Sequence, residues 1–200
     1  MNRSMYEYIP CEDQDQYHYF DQSLYCRLVN CFRLLWEQHV YWTRMFIMVV
    51  VFDLPDLAAT QKRLLRNPND FAKTFDQFYG EKVSHEINRL ITDHLTIGAE
   101  LVKAAKAGKN KLAANTENHW YKNADDIACF LNHINPYWSV ESMQAMWYKH
   151  LSLTKEETVT MLNGKYSKSI CLLNEIERKA LMMADTFANG IFKHFDDCNG

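Results

Sequence analysis

Five breaks, at Pro55, Gly80, Gly108, Pro136 and Gly164, divide this chain into stretches whose apolar residues recur at alternating three- and four-residue steps. No stretch alternates with period two, so the chain is expected to be all-α. The first helix is predicted from about Ser23 to Asp53, stopped by Leu54-Pro55. A second spans 56–79 and breaks at Asn67-Pro68, where Asn67 suits an N-cap and Pro68 the first helical position. A third runs over 81–107 and a fourth over about 111–132. Two short helices follow, 139–151 and 154–162, the latter opened by a Thr154–Glu157 capping box. The last runs from Gly164 to about residue 195. Helices of 25–30 residues are about 40 Å long. Four of them predict a bundle with shorter crossover helices, ferritin-like in general architecture. Residues 24–195 read as one domain, residues 1–23 as a polar N-terminal segment, and residues 196–200 as a frayed tail.

Each of the four long helices carries one polar residue at a core step near its middle. The first gives Phe32, Leu35, His39, Trp42, Phe46, Val49, and the second Val83, Ile87, Leu90, His94, Ile97, Leu101. The next gives Ala113, Thr116, Trp120, Asn123, Ile127, Phe130, and the last Tyr166, Ile170, Leu173, Glu177, Leu181, Ala184. Side chains at such steps face neighbouring helices, so the pattern predicts a buried layer of two imidazoles, an amide and a carboxylate. A carboxylate buried without a partner is costly, so Glu177 calls for a cation or a metal nearby. His39, His94 and Glu177 together match the two-His, one-carboxylate set of open non-haem iron sites, and also suit zinc.

Further donors lie close along the helices. His119, Asn123 and Asp126 share one helical face and are candidate extra or supporting ligands. Asp185 is expected to orient a histidine or to pair with Arg44. Gly98, one turn from His94, is expected to leave space over the same face. A haem with His39 and His94 as axial ligands is a weaker option, because a buried carboxylate and amide suit a porphyrin poorly. Arg63, Arg66, Asn67 and Asp70 flank the helix break and read as capping and local ion pairing. His150 reads as a solvated or capping residue at a short helix's end, and His85, His133 and His194 as surface residues.

Composition narrows the function. With 22 basic and 25 acidic side chains, the net charge of −3 offers no footprint for nucleic acid. The run Lys103, Lys106, Lys109, Lys111 falls at a helix C-terminus, where cations favour the terminal carbonyls. The most apolar stretch, Met45 to Phe52, is too short to span a bilayer. Six cysteines without a C-x-x-C pair suggest reduced, mostly buried thiols in a cytoplasmic protein. The six glycines are dispersed, which removes phosphate-cradling loops and dinucleotide fingerprints. No G-x-S-x-G, H-E-x-x-H or Glu-x-x-His motif occurs.

Four strings carry a resemblance: Trp36 to Arg44 (WEQHVYWTR), Arg63 to Phe71 (RLLRNPNDF), Trp120 to Ala128 (WYKNADDIA) and Ile134 to Trp138 (INPYW). They resemble an uncharacterised family of helical proteins from spore-forming Firmicutes, over roughly residues 24–195. Such proteins sometimes carry the label acetylglutamate kinase, which the missing glycine-rich, sheet-based apparatus argues against. The pattern is more loosely similar to ferritin-like and haemerythrin-like bundles, which implies a metal but transfers no catalytic residue. The expectation is a metal-binding bundle holding iron or zinc on His39, His94 and Glu177, with oxygen or peroxide chemistry as the class to test. The competing expectation is a non-enzymatic interaction or structural protein whose polar layer is a metal-free hydrogen-bond network. The apolar face of Leu57, Leu64, Phe71, Phe75 and Phe78 is left open between internal packing and a homodimer contact.

Overall fold

The computed structural model describes residues 24–196. The expected N-terminal segment, most of the expected tail, Cys11 and Cys198 lie outside the described residues. Seven helices follow one another: α1 (Leu24–Val51), α2 (Leu57–Leu64), α3 (Asn67–Tyr79), α4 (Glu81–Lys106), α5 (Asn110–Ile134), α6 (Val140–Leu162) and α7 (Tyr166–Asp196). The all-α reading holds, and the helices end at the anticipated breaks. Gly80 alone separates α3 from α4, and its φ of 77° is one that a side-chain-bearing residue rarely adopts. No described helix is long and apolar enough to cross a membrane.

Around the bundle the neighbours run α1, α7, α6, α5, α4, α3 and back to α1, with α2 laid on α1. Across the middle, α1, α4 and α6 also touch one another pairwise. The site forms where these three meet.

Two departures from the periodicity reading matter for function. The stretch expected to hold two short helices is one continuous helix, α6, capped by Ser139, whose Oγ accepts from Ser142 N at 3.2 Å. Thr154 is no cap: its hydroxyl donates to the His150 carbonyl one turn back, at 2.9 Å. A threonine can satisfy itself this way inside a helix, so a Thr-x-x-Glu pattern does not require a helix start. On α7 the buried stripe is Leu172, Ile176, Ala180, Met183, Phe187 and Ile191, whereas Tyr166 and Ile170 are both 53% exposed. Of the expected stripe Ala184 alone is buried, Leu173 and Leu181 are half-buried, and Glu177 is exposed.

Two apolar clusters form the interior. The larger holds Phe32, Trp36, Phe71, Phe75, Trp138, Trp147 and Phe187 among its members, and the smaller is Phe46, Ile47, Val50, Val51, Leu64, Leu95, Val102 and Met161. The α2–α3 face is internal: Leu64, Phe71 and Phe75 are buried. The thiols are not mostly buried: Cys26, Cys129 and Cys171 occupy exposed helix positions, Cys31 is half-buried, and none of the four is in a disulfide.

Candidate metal centre

Three histidines stand between the two clusters. His39 on α1 lies between Trp36 and Phe46, His94 on α4 between Leu90 and Val102, and His150 on α6 between Trp147 and Met161. Each is 1% exposed. Their ring centroids are 5.4 Å (His39–His150), 5.7 Å (His39–His94) and 5.8 Å (His94–His150) apart. One nitrogen from each ring lies within 4.8 Å of the other two. An ion centred in a triangle of that size would sit about 2.8 Å from each nitrogen, against about 2.0–2.1 Å for a Zn–N bond, so each ring needs to advance by roughly 0.7 Å at most.

Indoles wall the triad on the side of the larger cluster. His94 stacks on Trp120 at 5.3 Å and meets Trp147 edge-on at 4.9 Å, while Trp36 contacts His39 at 5.3 Å and His150 at 6.0 Å. Burial in these surroundings disfavours the charged rings. It lowers His39 to about 4 and His150 to about 3. His94 is also driven well down, by burial first and then by repulsion from the other two imidazoles. At neutral pH all three are neutral, the form that ligates metals.

Two asparagines approach two of the rings in the same way, and one of them completes a bond to its ring. Asn67, at the start of α3, donates Nδ2 to the Leu35 carbonyl at 3.0 Å and turns Oδ1 to His39 Nδ1, also at 3.0 Å. Because Asn67 donates through its nitrogen, its oxygen must accept, which places the proton of His39 on Nδ1 and leaves Nε2 with a lone pair. On α5, Asn123 donates Nδ2 to the Leu90 carbonyl at 3.1 Å. Leu35 and Leu90 each precede their histidine by one helical turn. Asn123 Oδ1 and His94 Nδ1 are both buried without a hydrogen-bond partner, and each is the group the other lacks. The Asn123 amide favours the protonated ring, opposing the larger effect of burial. His150 Nδ1 is likewise buried and unpartnered.

Asn67 therefore does not act as the expected cap: Arg66 occupies that position, and the break at Asn67-Pro68 delivers the amide inward to α1. The local ion pairing expected there is present as Arg66–Asp70 at 3.4 Å.

Of the anticipated site residues, His39, His94 and Asn123 converge. Glu177 is exposed and lies near Glu37, whose carboxyl is pushed up by partial burial and by the Glu177 charge. Two carboxylates are buried instead: Asp70, which faces Arg66 at 3.4 Å, and Glu157, 2% exposed, whose partner Arg44 Nη1 lies at 2.6 Å and also donates to Ser169 Oγ at 2.6 Å. Asp185 pairs with Arg33 at 2.8 and 2.9 Å rather than with Arg44. His119 is exposed, and Asp126 is exposed and paired with Lys122. Gly98 borders open volume together with His94, as expected, while towards α5 a Cβ there would meet the Trp120 ring at 3.2 Å.

His150 was the residue the sequence concealed. Once residues 140–162 are read as one helix, Met143, Trp147, His150, Thr154, Glu157 and Met161 form an unbroken run of four- and three-residue steps, and all six are buried. Placing a helix end at Leu151 hid that signal.

The triad opens into a cavity of about 460 Å³ between α1, α4, α5 and α6. Phe46, Ile47, Leu95 and Val102 supply its apolar wall, while the exposed residues Asn110, Ala114, Lys155 and Asn163 mark its outer end. Lys155 Nζ bridges to both Glu117 oxygens, at 2.5 and 2.7 Å, across α6 and α5. No protein family matches this chain, and neither a curated protein nor a solved structure matches it.

Proposed function

We propose that the chain is a metal-binding helical bundle whose ion is held by His39, His94 and His150, with a coordination position open to the cavity. The observation that carries this reading is the triad itself. Three neutral imidazoles from three helices converge, and two of their nitrogens are buried without partners. With His39 Nδ1 paired to Asn67, its Nε2 is the nitrogen free to face an ion, and the same arrangement would hold at His94 once Asn123 Oδ1 takes up Nδ1. Haem is disfavoured by space, because His39 and His94 stack 5.7 Å apart with His150 beside both.

Three imidazoles without a carboxylate shift the preference from iron towards zinc, whose open catalytic sites include the three-His set. A bound zinc would polarise a carbonyl or acidify a water. Iron in the same position would keep oxygen or peroxide chemistry as the class to assay.

Elemental mass spectrometry on protein purified without chelator tests the reading. About one zinc or iron per chain is expected, lost in His150→Ala and retained in Glu177→Gln. A native protein that stays empty after dialysis against either metal would overturn it.

A further inference from the structure

We infer that the cavity beside the triad is the binding site for an amphipathic monoanion, with its anionic head at the open metal position and its aliphatic body along the apolar wall. This rests on the metal reading above and adds the class of ligand. Charge carries the first half. Three neutral ligands leave the full double positive charge of a zinc ion inside a low-dielectric interior, which strongly favours an anion at the remaining position. The triad brings no carboxylate of its own among the described residues. Glu117, the carboxylate that does line the cavity, is already neutralised by Lys155 at 2.5 and 2.7 Å. Glu157 is spent on Arg44. The compensating charge therefore has to come from outside.

Shape and wall chemistry carry the second half. About 460 Å³ falls within the range of roughly 300–1,000 Å³ typical of small-molecule sites, and far exceeds what a hydroxide or chloride needs. Between the triad and the mouth the wall is made of Phe46, Ile47, Leu95, Val102 and Leu162. Thr43, Thr154 and Thr158 are the polar residues along it, and the Thr154 and Thr158 hydroxyls are already given to the His150 and Thr154 carbonyls. A ligand anionic at both ends would desolvate its second charge against this wall, whereas an alkyl or aryl body gains by burial there.

The test uses the full chain loaded with cobalt(II), whose visible spectrum reports its ligands, titrated with octanoate, acetate and octanol. Octanoate is expected to shift the spectrum saturably and to bind at least a hundredfold more tightly than acetate, while octanol leaves the bands unchanged. Ala99→Phe, which fills the cavity from α4 without touching a histidine, is expected to weaken octanoate at least tenfold and to leave acetate unaffected. Cobalt that binds but responds equally to octanoate and acetate would overturn this inference and leave the metal reading standing. So would octanoate binding equally well, by calorimetry, to metal-free protein, since the head would then not be on the metal. A chain that takes up no cobalt, zinc or iron would overturn both.

Discussion

The two ends of the larger apolar cluster are built from similar residues and finished differently. At one end, Trp138 is completely buried, yet its Nε1 donates to the Thr186 carbonyl at 3.0 Å, and Asn135 Nδ2 donates to the Gly190 carbonyl at 2.9 Å. Where that cluster borders the histidines, Trp36 Nε1, Trp147 Nε1, His94 Nδ1 and His150 Nδ1 are buried without partners. The smaller cluster then opens on a cavity instead of closing. One region is packed and paired as stability demands. The other keeps unpaired nitrogens and empty volume, which a folded chain tolerates where a ligand can occupy them.

Crowding the packed side should produce the largest effect. Gly190 lies against the Trp138 indole so closely that a Cβ there would overlap the ring. Trp138 cannot retreat without losing its bond to Thr186. Gly190→Ala is expected to cost about 3 kcal/mol or more, at the upper end for overpacking. The parallel change at the site, Gly98→Ala, brings its Cβ to 3.2 Å from Trp120 beside an open cavity. It should cost no more than about 1 kcal/mol. Chemical denaturation of both variants checks the contrast, and equal losses would erase the distinction between a rigid and a yielding region.

Acid should next separate the regions. The folded-state pKa values of all three histidines lie below the ordinary 6.5, with His39 at about 4 and His150 at about 3. Between pH 6.5 and 4 the unfolded chain therefore binds protons that the native triad refuses. Stability is full above about pH 6.5 and falls as the pH drops, by up to about 1.4 kcal/mol per pH unit per histidine. Glu157, raised by burial against the pull of Arg44, acts in the opposite sense. Denaturation of metal-free protein at pH 7.5, 6 and 5 should show the decline, and the triple alanine variant of the triad should flatten it. A native protein equally stable at all three values would mean that water already reaches the rings.

A charged pair in the same region sharpens the point. Glu157 is buried and Arg44 half-buried, and they partner each other, so deleting one exposes the cost of the other. Arg44→Met is expected to destabilise by about 1–2 kcal/mol at pH 7, below the range for a fully buried pair because Arg44 is partly exposed. Glu157→Gln alongside Arg44→Met should recover part of that loss, measured by the same denaturation.

How much of this was legible in the sequence depends on which side of a helix end a residue fell. The periodicities of α1, α4 and α5 place His39, His94 and Asn123 at buried steps, because each helix is long and its punctuation is unambiguous. His150 was hidden by Thr154, whose hydroxyl serves a cap and a helix interior equally well. Glu177 was misplaced by one position, since exposed Tyr166 and Ile170 extend a false stripe beside the real one on α7. The principle that a buried carboxylate needs a cation was sound, but it applied to Glu157 with Arg44 and to Asp70 with Arg66. The cavity had no signature in sequence, because it is the volume that helices from four parts of the chain fail to fill.

The smallest predicted effect concerns the asparagines, and it divides positioning from packing. Asn67 and Asn123 use the same geometry, but only Asn67 completes its bond to a ring, at 3.0 Å to His39. Groups that fix a ligand histidine typically contribute about 10–100-fold in metal affinity. Asn67→Leu should fall in the upper part of that range, since it frees His39 to take the other tautomer or to rotate. Asn123→Leu should fall in the lower part, because the bond it would remove is incomplete before the metal arrives. Each Nδ2 shares a helical carbonyl that the backbone can serve alone, so the metal-free variants should lose only about 1 kcal/mol. Competition against a chelator gives the affinities and denaturation gives the stabilities. If Asn67→Leu lost stability but bound zinc as well as the native chain, the amide would be tying α3 to α1 and not setting the ring. Equal affinity losses in the two variants would instead mean that metal binding draws Asn123 into the bond to His94 that Asn67 already makes to His39.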